Sequence, residues 1–123
     1  MMIKSYQDLV AWQKAIDLCE AIYKASSVFP PHEMYGLTSQ IRRAAVSVPS
    51  HIAEGTGRIT SGEFLQSVGH ARGSLLEVET QVIIARRLGY LQSEETALLL
   101  RAAGEAGRLA NGLIRSLTCK SSS

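Results

Sequence analysis

The sequence predicts an all-α protein: an antiparallel up-and-down four-helix bundle whose second helix is kinked at Pro49. Three observations carry this. Apolar residues recur at three-and-four spacing in four separate stretches, as one face of a helix requires. No stretch sustains the alternation of a half-buried strand. Proline, glycine and capping residues fall between the four stretches, and the short connections favour antiparallel neighbours.

Helix one is expected over residues 6–27, with Leu9, Trp12, Ile16, Cys19 and Tyr23 as its apolar stripe. Ser5, with Asp8 three residues on, reads as its N-cap with an acid in the first turn. The run FPPHEMYG at 29–36 breaks the chain. Helix two is expected over 36–56, on Leu37, Ile41, Ala45, Val48 and Ile52. Pro49 lies inside it, where it removes one hydrogen bond and clashes with the carbonyl of Ala45, at about 3 kcal/mol unless the helix bends. Ser47 and Ser50 flank the proline with hydroxyls for the freed backbone groups.

Thr60 with Glu63 forms a capping box that opens helix three, expected over 61–88. Its core stripe is Phe64, Val68, Ala71, Leu75, Val78, Val82 and Ala85, and a polar stripe runs through Glu63, Ser67, His70, Ser74, Glu77 and Gln81. Arg86 and Arg87 followed by Gly89 close it. Ser93, Glu94 and Glu95 open helix four, expected over 94–117, with Leu99, Ala103, Ala106, Ala110, Leu113 and Leu117 inward. One bundle over 6–117 follows, with an N-terminal extension at 1–5 and a disordered tail at 118–123 that has nothing to bury.

Helices three and four carry apolar residues beyond one face each: Leu65, Leu76 and Ile83, then Leu100 and Ile114. A bundle helix needs a single apolar face, so these are the expected interface residues for self-association. The apolar runs VIIA and ALLL are four residues long, far short of a membrane span, and the N-terminus has no leader pattern. Cys19 on the stripe and Cys119 in the tail suit reduced thiols in a cytoplasmic protein.

The catalytic patterns do not form. A bundle dimetal centre needs Glu-x-x-His on two helices, and the chain has only the reversed His51-x-x-Glu54, so no metal or other cofactor is expected. Ser67, His70, Ser74 and Glu77 share one helix face, where a polar interface is the commoner outcome. No phosphate loop is present. The reading is therefore non-enzymatic. The net charge of +2 is modest, but nine of the thirteen basic residues are arginine. Arg42, Arg43, Arg58, Arg86 and Arg87 are the candidate nucleic-acid contacts, with solvated ion-paired faces as the plain alternative. Adjacent Arg42 and Arg43 differ by about 100° around their helix, so both cannot face the core edge. With two Phe, four Tyr and one Trp, stacking-based recognition of single strands is not favoured.

The segments YQDLVAWQKA, YGLTSQIRRAAVSVPSHIAEGTGR, EFLQSVGHARGSLLEVETQV and RRLGYL resemble the four-helix-bundle proteins encoded in intervening sequences of bacterial 23S ribosomal RNA genes. The resemblance covers residues 6–117. Related bundles include the accessory protein of diversity-generating retroelements. It implies a homopentameric ring, and the retroelement relatives bind nucleic acid and a reverse transcriptase through a basic surface. No activity carries over. His51 stands where the family pattern has Asn, so any fixed hydrogen bond there must pass to the imidazole. The expected partners are the chain itself and structured RNA or DNA. The alternative is a protein–protein scaffold that ignores nucleic acid.

Overall fold

The computed structural model describes residues 5–58 and 60–122, with side chains through Ser116. A 3-10 turn at Tyr6–Asp8 precedes α1 at Val10–Ser26; a second at Pro31–Glu33 leads into α2 at Leu37–Thr56; α3 spans Ser61–Arg87 and α4 Ser93–Ser122. Among the described residues there is no strand. Residues 1–4 and 123 of the expected extension and tail, and the Cys119 side chain, lie outside the described residues.

Each helix packs on two neighbours in the cyclic order α1, α2, α3, α4, so α1 and α3 lie across one diagonal and α2 and α4 across the other. Contacts between α2 and α3 run in opposite chain order. Gly55 sits against Phe64 and Ser67, while Ser47 meets Ser74. The same holds between α3 and α4, where Arg72 meets Asn111 and Arg86 meets Ser93.

The expected stripes of α2 through α4 are largely those buried: Leu37, Ile41, Ala45, Val48 and Ile52; Val68, Ala71, Leu75, Val78, Val82 and Ala85; Leu99, Ala103, Ala106 and Ala110. In α1 the expectation needs correcting. Its buried line is Ala11, Ala15, Leu18, Ile22 and Ala25, while Ile16 and Tyr23 are exposed and Trp12 and Cys19 only border the core. The inward line of α1 lies one position before most of the expected one, with Leu18 and Ile22 buried beside its alanines, while Leu9 is buried as expected. Burial raises the Cys19 thiol pKa, which keeps it protonated.

Helix starts also shift. Ser5 accepts the Gln7 N–H at 3.1 Å, but it caps the short 3-10 turn, and α1 begins at Val10 after an extended Leu9. Thr60 accepts the Glu63 N–H at 3.1 Å and opens α3 as expected. The α3 terminus is a Schellman motif. Tyr90 N–H donates to Ala85 O at 2.9 Å and Gly89 N–H to Arg86 O at 3.0 Å, with Gly89 at φ 83°. α2 continues across Pro49, whose ring is buried. Ser50 Oγ donates to Val46 O at 2.8 Å, so that hydroxyl serves the carbonyl next to the one the proline leaves unpaired.

The two loops at one end are tied together. Glu33 accepts the Leu37 N–H at 3.1 Å, capping α2, and the Tyr90 hydroxyl at 2.8 Å. Gly36 permits this, because a Cβ there would lie 2.8 Å from Glu33 Oε1. The Leu37 N–H, then the Tyr90 hydroxyl, hold the Glu33 carboxyl below its ordinary pKa. A depressed carboxylate contributes stability that is complete above its unfolded pKa of about 4.3 and is lost as pH falls through the lower folded value. Thermal melts should therefore show Glu33→Ala less stable than the parent at pH 7, with the gap narrowing below about pH 4. A gap that stays constant into acid would remove the charge from the explanation.

Candidate nucleic-acid interface

Of the five candidate arginines, the structure commits three to contacts within the chain. Arg42 is half-buried and spans from α2 to the last turn of α1. Its Nε donates to Ser26 Oγ at 2.8 Å and its Nη2 to Tyr23 O at 3.3 Å, and its guanidinium carbon lies 4.7 Å from the centre of the Tyr23 ring. The cation thus satisfies a carbonyl at a helix C-terminus, where the dipole favours it. Arg58 pairs with Glu54 one turn earlier. Arg86 Nη2 donates to Ser93 Oγ at 2.7 Å across the α3–α4 turn.

Arg43 and Arg87 are exposed and make no ion pair or hydrogen bond with described residues. The five do not form one surface. Arg58 follows the end of α2, while Arg86 and Arg87 end the 27-residue α3, a helix about 40 Å long. Only Arg42 and Arg43 share a feature, a groove of about 700 Å³ where α2 runs beside the end of α1.

Three further cations were missed in the sequence. Arg101, Arg108 and Arg115 recur every seven residues on α4, all exposed and unpaired among the described residues. Seven residues is about two turns, so they form a ladder with steps of about 10.5 Å. Gly104, Glu105, Asn111 and Gly112 lie between them on that side of the helix, and the one carboxylate among these, Glu105, is held 3.6 Å from Lys14. Nothing but the arginines themselves comes within 4 Å of a Cβ built at Gly104 or Gly112. The seven-residue arginine repeat was the available signal.

The polar stripe of α3 faces α2 and forms a seam. Ser74 Oγ donates to Ser47 Oγ at 2.8 Å. His51 answers the question its position raised. Its Nδ1 lies 2.9 Å from both the hydroxyl and the carbonyl oxygen of Ser47, and its ring stacks on His70 with centres 5.3 Å apart. Ser67 and Ser74 are buried at this helix–helix contact, while Glu63, His70 and Glu77 of the same stripe are exposed. Among the described residues no three His, Cys, Asp or Glu side chains gather into a metal-binding group.

The expected interface residues divide. Leu76 is 60% exposed and Ile83 44%, seven residues apart on the outer face of α3. Leu65, Leu100 and Ile114 are half-buried, and Leu100 packs on the core. No helix among the described residues is long and apolar enough to cross a membrane.

The model of the 23S rRNA-intervening sequence protein family matches residues 7–112. Among solved structures, the chain is similar to a protein of unknown function from the S23 ribosomal protein family of Bacteroides thetaiotaomicron. The TM-score is 0.77 at 19% identity, over 85% of this chain and 98% of that one. At that identity the likeness shows the fold. Comparison with curated proteins gives no match.

The two adjacent arginines should separate in a denaturation experiment. Arg42→Ala removes two charge-assisted hydrogen bonds between helices and should cost about 1–3 kcal/mol. Arg43→Ala should stay within about 0.5 kcal/mol of the parent, as surface changes do. Equal losses would mean that Arg43 has a structural contact of its own.

Proposed function

The chain belongs to the 23S rRNA-intervening sequence protein family, and we propose that it is a non-enzymatic, self-associating protein that binds the phosphate backbone of structured RNA or DNA. The observation that carries this is the α4 ladder. Three guanidiniums at regular spacing stand exposed and unpaired among the described residues, and the acid between the first two, Glu105, is taken by Lys14. Lys24 has its own carboxylate in Glu20 one turn away, whereas the acid nearest the ladder, Glu105, is paired across to Lys14 on α1. A phosphate-binding face leaves its guanidiniums free for bidentate contacts. Arg43 and Arg87 add to the unpaired set. Arg42, Arg58 and Arg86 do so less, because binding phosphate would cost them existing partners. The family's name supports testing RNA first.

Self-association is supported by Leu76 and Ile83, large apolar side chains on a face that no helix of the same chain covers. The resemblance in sequence implies five subunits, and we adopt that number. A cytoplasmic setting suits a chain with this partner.

Anisotropy titrations of labelled hairpin RNA and duplex DNA over a range of salt concentrations test the nucleic-acid reading. The affinity should fall steeply with salt. For the duplex DNA, replacing Arg101, Arg108 and Arg115 together by Ala should reduce the log–log slope by roughly 2–3, near 0.9 per lost phosphate contact. Absence of binding at low salt would overturn the reading in favour of a protein scaffold. For assembly, Leu76→Glu combined with Ile83→Glu should shift sedimentation to a smaller species at unchanged helix content. Retention of the parent's size would place the interface elsewhere.

A further inference from the structure

We infer that the groove between the end of α1 and the first half of α2 binds one unstacked nucleotide, its base against Arg42 and Tyr35 and its phosphate on Arg43. The ligand class rests on the nucleic-acid reading above. The inference adds a separate site, on a different face from the α4 ladder, and a preference for unpaired nucleotides.

Two of the chain's four tyrosines, Tyr23 and Tyr35, line this groove together with Met34 and both arginines. No carboxylate lines it, so its occupant is favoured to be an anion. Its volume of about 700 Å³ falls within the range of about 300–1,000 Å³ usual for small-molecule sites.

The parts differ in how they are held. Arg42 is fixed by Ser26, by the Tyr23 carbonyl and by the Tyr23 ring beneath it. One side of its guanidinium is covered by that ring, and the groove it lines is open to a second flat group. Bases splayed from unpaired RNA stack on aromatic rings and on guanidinium planes in this way. Tyr35 is 94% exposed, an extreme value for an aromatic side chain just before a helix. It has no packing role in the chain and stands free at the groove's edge. Arg43, one residue along from the fixed Arg42, is free to take a phosphate, and the Thr38 and Ser39 hydroxyls supply short-range donors.

A duplex would use only part of this. Its bases are stacked inside and present no face to Tyr35 or Arg42, so only Arg43 would engage. The aromatic content as a whole argued against stacking. The fold changes that by placing two tyrosines and two arginines around one groove.

The test uses the full-length protein and two probes of equal length, a labelled single-stranded RNA without self-pairing and an RNA duplex. Tyr35→Ala should weaken the single strand about tenfold or more, as loss of one stacked base does, and leave the duplex unchanged. Tyr35→Phe should restore single-strand binding. The triple Ala variant at Arg101, Arg108 and Arg115 should weaken the duplex and affect the single strand less. Parent-like single-strand binding by Tyr35→Ala would overturn the groove while leaving nucleic-acid binding intact. Failure of the parent to bind either probe would overturn both. A change in sedimentation on Tyr35→Ala, with nucleic-acid binding unchanged, would assign the groove to a contact between copies and overturn its role as a nucleotide site.

Discussion

The bundle depends on an aliphatic core in which small side chains alternate with large ones such as Leu18, Ile22, Ile41 and Ile52. Ala15, Ala45, Ala71, Ala85 and Ala110 are each 0% exposed, with Val48, Val68, Val78 and Val82 beside them. Side chains of this size let helix axes approach toward the near end of the usual spacing of about 8–10 Å. The aromatic residues lie at the ends and edges of this aliphatic core. Phe29 fills the end of the bundle against Tyr90, with ring centres 5.5 Å apart, and Trp12 packs edge-on to Tyr6 at the other margin. The alanine positions each yield less apolar burial than the leucines and isoleucines beside them. The connections add to this core: the Glu33 cap and the Gly89 turn fix helix ends.

The contact between α2 and α3 is close at Gly55. Gly55 lies so near Ser67 that an added Cβ would come within 3.2 Å of that serine's own Cβ. Ser47 and Ser74 meet hydroxyl to hydroxyl about two turns away. Pro49 belongs to this close-packed region. Its ring is buried, and the helix runs through it. Surrounding packing supplies what the missing hydrogen bond takes away, which is how helix interiors keep a proline. His51 sits at the margin, where the seam widens enough to admit two stacked imidazoles.

Much of this was legible in the chain. The three-and-four spacing located α2, α3 and α4 and most of their inward faces, and the Thr60 box and Gly89 marked the ends of α3. The failures share a cause. In α1 two apolar lines run side by side, Trp12, Ile16, Cys19 and Tyr23 against Ala11, Ala15, Leu18 and Ile22, and the second is the buried one. Spacing alone does not choose between adjacent apolar lines, because the choice depends on where the other helices lie. Ser5 capped what its local sequence offered, a 3-10 turn, because Leu9 is extended and delays the helix. The candidate cations divided for a similar reason. Arg42 and Arg43 are indistinguishable in sequence, and what separates them is Ser26, sixteen residues away on another helix.

Which arginines are spent inside the fold and which are left over bears directly on function. α2 and α4 face each other across a diagonal and share no contact, so the groove beside Arg43 and the ladder on α4 open to different sides. One short duplex laid on α4 would not touch the groove of the same subunit. A strand that engaged both would have to pass around the bundle or run from one copy to the next. The exposed pair Leu76 and Ile83 lies on α3, between these two sides. If copies meet along that face, each contact brings the groove side of one helix pair and the ladder side of another to the flanks of a shared seam. On the reading proposed above, self-association would be the route by which cations on separate faces of one chain act together on one ligand.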